Sequence, residues 1–233
     1  MDLRTFADVF TSPARGLGAA ADHRSVAAPL AAATGAALVF AGALLPRLDV
    51  GRAALEQLER SGRAAEMTPA QLAEALATAQ KMGAVMGWAG AALGPAALAL
   101  LTALFLWVGL RVAGARPGFA PALSVAAWSA MPVALGRLLG VPGLLRVEAV
   151  APDAVARLFP WNLAHWIPDA TRGPAAALAG TLDLFGLWGL WLLVVGSAQL
   201  AAVSRQRAGA VVFSLWAAGA ALAMAAASAT GAR

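Results

Sequence analysis

Cysteine is absent from the 233 residues, which removes a disulfide frame, a thiol nucleophile and any thiolate-held metal. Charge is scarce: 12% of residues are Asp, Glu, Lys or Arg, against about 25% in soluble domains. His23 and His165 are isolated, so neither a serine triad nor a metal cluster assembles from the pattern. No HExxH helix, GxSxG elbow or GxxxxGK[ST] phosphate loop occurs. An enzyme is not expected, nor is a cofactor or a metal. What the chain has instead is apolar length, with 61% apolar residues and a mean hydropathy of +0.73. Lys81 is the single lysine, and the net charge of +5 comes from arginines placed at the ends of apolar runs. That placement fits orientation in a membrane better than nucleic-acid binding, which is not expected.

The organising stretch is Leu182 to Val203, which carries one charge, Asp183, near its start. A helix needs about 20 apolar residues to cross the hydrocarbon core. Five such spans are expected, at about 25–45, 82–110, 119–145, 175–203 and 208–230. The fold class predicted is all-α, a polytopic membrane protein with five transmembrane helices in a single membrane domain over 1–233.

Before the first span, Leu3, Phe6 and Phe10 share one helical face, with Asp2, Arg4 and Asp8 away from it. Such a short amphipathic helix either lies on the membrane surface or packs against the bundle. Ser12-Pro13 is a cap and first-turn signal for a second short helix. Between spans one and two, residues 47–81 hold five basic and five acidic residues and read as a charged extramembrane helical hairpin. Thr68-Pro69-Ala70-Gln71 is a capping box with proline at the first helical position. The helix it opens is expected to run through Lys81 into the second span. There Gly83, Gly87, Gly90 and Gly94 line one side, a spacing that lets helices pack closely in lipid, and helix packing is their expected role. Residues 146–174, with Phe159, Trp161 and Trp166 broken by prolines, read as short helices lying flat at the interface.

Two short basic turns, 111–118 and 204–207, contain two arginines each and no acid. Total basic counts favour the other side, nine against seven with Arg233 counted and Arg137 set aside. Short loops weigh most in orientation, so the N-terminus is expected in the cytoplasm. Two ionisable residues fall inside spans, Arg137 and Asp183. With the spans drawn as above, both lie roughly 12 Å from the same face. Intramembrane charges often pair, so Arg137 and Asp183 are a candidate intramembrane pair, a clamp between helices or part of a transport path.

The chain resembles the bacterial branch of the Yip family, the Ypt/Rab-interacting membrane proteins. The resemblance rests on Phe6-x-x-Val9-Phe10 with Ser12-Pro13, on Arg52 and Glu56, and on Met67-Thr68-Pro69-x-Gln71-Leu72. It rests most on Leu182-Asp183-Leu184-Phe185-Gly186-Leu187-Trp188 at the head of the fourth span. It implies five spans and a cytoplasmic N-terminus. Eukaryotic relatives bind small GTPases through a long cytosolic N-terminal region. Only 24 residues precede the first span here, so GTPase recruitment is not expected. The function expected is a non-enzymatic scaffold or accessory protein of a bacterial inner membrane. Its partners would be membrane lipids and a membrane-protein partner or second copy. The alternative is a small-solute or ion transporter using Arg137 and Asp183.

Overall fold

The computed structural model describes residues 3–167 and 173–229, and side chains from Ala7 to Ser228 outside that gap. Ten helices occupy the described chain: α1 Leu3–Thr11, α2 Pro13–Asp22, α3 Ala27–Leu44, α4 Val50–Arg60, α5 Pro69–Val112, α6 Phe119–Ser129, α7 Met131–Leu144, α8 Pro174–Gly180, α9 Leu184–Ala201 and α10 Arg205–Ala229. Among the described residues there is no strand, only two isolated bridges, Leu48 with Val150 and Asn162 with Asp183.

Five segments are long and apolar enough to cross a membrane: Ala27–Arg47, Pro69–Val112, Phe119–Leu144, Leu184–Ala201 and Arg205–Ser228. The third is α6 and α7 end to end, broken at Ala130. Pro132 sits in the first turn of α7; it lacks the N–H that would continue the ladder, and its ring crowds the turn before it. The surface agrees with a lipid environment. Met86, Leu93, Leu101 and Val112 along α5 are between 64% and 84% exposed, and a face of that kind would be a liability in water. This is an all-α polytopic membrane protein.

The α6–α7 span sits at the centre. α3 packs on α5 and α7, α5 also on α6 and α10, and α9 on α6, α7 and α10. Lipid tails are as apolar as leucine, so close packing has to hold these helices together. Small residues make that approach possible. Gly136 faces the ring of Phe185, where an added Cβ would lie 2.6 Å from the nearest ring carbon. Gly189 meets the carbonyl oxygen of Ser129 at a corresponding 2.9 Å.

The capping box forms as the sequence predicts. Gln71 N–H donates to Thr68 Oγ1 at 3.3 Å, and Thr68 N–H donates to Gln71 Oε1 at 2.9 Å. The helix it opens runs unbroken for 44 residues, about 66 Å at 1.5 Å per residue. A bilayer core is about 30 Å thick, so α5 continues well outside it. α4 folds back on that outer part. Gln80 clamps the pair: its Nε2 donates to Leu48 O at 3.1 Å, and its Oε1 accepts from Gly51 N–H at 3.1 Å.

The expected fourth span, 175–203, is shorter in the structure. α8 is a separate short helix, and the span opens at Leu184. The intervening residues pair with a distant strand-like segment, Leu163 N–H to Leu182 O at 2.8 Å and Leu184 N–H to Trp161 O at 3.0 Å. Those bonds satisfy backbone groups that a continuous helix would have used for itself.

The N-terminal helices pack into the bundle, the second of the two placements the sequence allowed. Val9 and Leu17 are fully buried, and Phe10 meets Trp188 edge to face at 5.4 Å. Leu3 and Phe6, the rest of the expected apolar face, lie outside the described side chains. Ser12 precedes α2 as expected, but its side chain does not cap the helix.

Candidate functional site

Arg137 on α7 and Asp183 at the head of α9 are the ionisable residues the sequence places inside spans. α7 and α9 run antiparallel, and the Gly136–Phe185 contact puts residues 137 and 184 at one level. Arg137 and Asp183 are both half-buried. The structure does not join them in an ion pair, however. Among the described residues the ion pair present is Arg52 with Glu56 on α4, at 3.3 Å. Arg137 has no hydrogen-bonding partner there.

Asp183 is occupied elsewhere. It is the N-cap of α9, and its Oδ1 accepts from Gly186 N–H at 2.8 Å. A capping carboxylate answers one of the orphan N–H groups at a helix start and faces the positive end of the helix dipole. That need is local and explains an acid at the head of an apolar span without a basic partner.

Around Asp183 lies a compact cap. Asn162 is 7% exposed. Its Oδ1 accepts from Ala164 N–H at 2.9 Å and its Nδ2 donates to Gly180 O at 3.1 Å. Phe159 and Trp161 stack at 5.3 Å, Trp161 meets Phe185 edge-on at 5.6 Å, and Phe159 tilts against Phe40 at 5.9 Å. The flat helices expected here are two 3₁₀ turns, Pro152–Leu158 and Leu163–Trp166. Trp166 remains 71% exposed, and His165 Nδ1 lies 2.6 Å from Arg157 O. Pro168 falls outside the described residues.

The α4–α5 hairpin is tied to this cap. Val150 N–H donates to Arg47 O at 2.8 Å and Asp49 N–H to Val150 O at 3.0 Å. The Arg47 guanidinium donates to Val147 O at 3.1 Å and to Ala43 O at 2.8 Å. The α4–α5 hairpin and the cap therefore stand on one side of the bundle and form a single surface. An open groove of about 750 Å³ runs along it, lined by Arg63, Glu66, Met67, Gln71, Glu74 and Thr78.

The glycine stripe on α5 divides in two. Gly83 faces the side chain of Val50 and Gly87 that of Leu45, while Gly90 and Gly94 have nothing within 4 Å of an added Cβ. Half of the expected packing surface receives the start of α4 and the end of the first span; the other half is open. The sequence did not reveal the contacts made by Ser124 and Trp128. Ser124 Oγ lies 2.7 Å from Ala20 O and 2.9 Å from Ser25 O, its single proton serving these two carbonyls, and Trp128 Nε1 donates to Ser25 O at 3.0 Å. Only the serine and the indole nitrogen inside an apolar span hinted that something polar must reach them.

Taken together, these features define an all-α polytopic membrane protein with five segments apolar enough to span a bilayer, a packed N-terminal helix pair and a braced α4–α5 hairpin. A model of the Yip1 domain family matches residues 7–227, and the chain belongs to that family. It is also similar to "Membrane protein YknW" of Bacillus subtilis (strain 168), 28% identical over 172 residues, which cover 73% of this chain and 68% of that protein. No solved structure matches it.

Proposed function

We propose that this protein is a non-enzymatic scaffold or accessory subunit that holds a partner membrane protein against the α4–α5 platform. The observation that supports this most is the platform itself. A 44-residue helix is built through the membrane and beyond it, and its outer part is clamped by Gln80 to α4 and through residues 47–50 to the cap. Rigid support of an exposed groove suits recognition, because a preformed surface loses little freedom on binding. Glu66 and Glu74 beside Arg63 supply the polar rim. Arg137 and Asp183 belong to the framework in this reading. The membrane is a bacterial inner membrane with the N-terminus in the cytoplasm, supported by the two acid-free basic turns.

Orientation has a direct test, because the chain contains no cysteine. In sealed cells, Ser61→Cys is expected to react with a membrane-impermeant maleimide from outside, and Gln206→Cys only after lysis; the reverse pattern would invert the topology. For docking, Glu66→Lys with Glu74→Lys is expected to remove a stoichiometric companion from protein purified in mild detergent, with the thermal midpoint unchanged. Retention of the same companion by the double variant would refute the platform as its seat.

A further inference from the structure

We propose that the cleft between α2, α9 and the start of α10 is a binding site for a phosphate group, that of an anionic phospholipid headgroup at the membrane surface. The cleft has a volume of about 300 Å³ and lies between Ser12, Arg15, Trp191, Val195 and Arg205. It is at the opposite end of the bundle from the platform, since α5 meets α10 there through Gly109 and Val211.

Charge in the cleft is one-sided. Arg15 lies in the first turn of α2 and Arg205 opens α10, and neither helix has an acid in its first turn. Both cations sit where a helix dipole is positive, an unfavourable position for each. No carboxylate lines the cleft, and among the described residues neither arginine forms an ion pair. Arg15 Nη2 reaches Ser12 Oγ at 3.2 Å, which leaves the rest of its fork available. Two guanidinium groups of this kind suit a phosphate, whose oxygens accept paired N–H bonds in a plane. An anion seated between them would relieve the mutual repulsion and meet both helix ends.

The remaining walls suit a lipid. Trp191 is 49% exposed and stands ten residues inside the end of α9, about 15 Å below the arginines at 1.5 Å per residue, where it can cover the acyl region under a headgroup. Val195 is 3% exposed and closes the floor with an apolar surface. A soluble phosphate would use only the arginines and Ser12, whereas a phospholipid also covers the indole and continues into the acyl region.

The experiment is native mass spectrometry of the full chain in detergent, titrated with dioleoylphosphatidylglycerol, dioleoylphosphatidylcholine or inorganic phosphate. Phosphatidylglycerol is expected to bind and to lose at least tenfold in affinity in Arg15→Gln/Arg205→Gln. Arg207→Gln, in the same turn but outside the cleft, is expected to bind as the parent does. Arg15→Lys/Arg205→Lys keeps the charge and loses the fork, so it should fall between. The thermal midpoint of each variant separates a lost site from a lost fold. Equal retention of inorganic phosphate, also lost in the Gln variant, would assign the site to a soluble phosphate and overturn the lipid. Equal binding of both lipids by the parent and the Gln double variant would overturn the site itself.

Discussion

Gly16→Val is expected to lever the N-terminal helix pair off the bundle. A Cβ at Gly16 would lie 2.6 Å from the carbonyl carbon of Asp8 and 2.8 Å from Val9 Cα. These are main-chain atoms, so no rotamer change can yield, and α1 has to move as a unit. Inserting volume into a packed site costs about 1–3 kcal/mol, occasionally more; with backbone as the obstacle, about 3 kcal/mol is expected. Val9 and Leu17 would lose their burial, and the carbonyls of Ala20 and Ser25 would lose Ser124 and Trp128. Trypsin cleavage at Arg15 and Arg24 is the readout, with rapid cleavage in Gly16→Val and slow cleavage in the parent. Gly18→Val is the control, since nothing lies within 4 Å of its added Cβ. Equal protection of both variants would show that the α1–α2 contact does not hold the hairpin in place.

Trp128→Ala is expected to be comparably severe through the opposite defect, an empty space. Trp128 is fully buried among Ala33, Ala36, Met131 and Leu192 at the centre of the bundle. In lipid the transfer part of its loss is small, because hydrocarbon is available on either side of unfolding. The lost contacts and the cavity remain, and together they should cost about 3 kcal/mol, the low end of aromatic-to-alanine changes in packed cores. Trp128→Phe fills most of that volume and gives up the bond to Ser25 O, so about 1 kcal/mol is expected. Thermal midpoints in detergent should rank parent, Phe, then Ala. A Phe variant as unstable as the Ala variant would make the hydrogen bond, and not the filled volume, the larger contribution.

Much of the fold was legible because membrane spans are written in local composition. The five spans, the Thr68–Gln71 cap and its continuation through Lys81 follow from residues close together in sequence. The start of α9 did not. From Ala175 to Val203 the apolar run is nearly continuous, and nothing in it signals that Leu182 pairs with Leu163 across the cap. That pairing converts Asp183 from a residue eight positions inside a span into the cap at its head, and it removes the acid from the pair expected with Arg137. Residues 137 and 184 do stand at one level across the Gly136–Phe185 contact, but Asp183 heads its helix and its carboxylate accepts from Gly186 N–H. The partners of the glycine stripe were not legible for a related reason. Period-four spacing marks a face that permits close approach, but which neighbour arrives depends on where α4 folds back. Only Gly83 and Gly87 received one.

The length of α5 ties the membrane to whatever stands outside it. A continuous helix of about 66 Å, with Pro95 in its interior, magnifies rotation, so ten degrees of tilt carries its tip sideways by roughly 11 Å. Hydrocarbon thickness is one of the variables that set such tilt. Because the hairpin and the cap are stitched together between residues 47–50 and 147–150, both excursions would swing as one body, and the outer surface would act as a pointer to bilayer thickness.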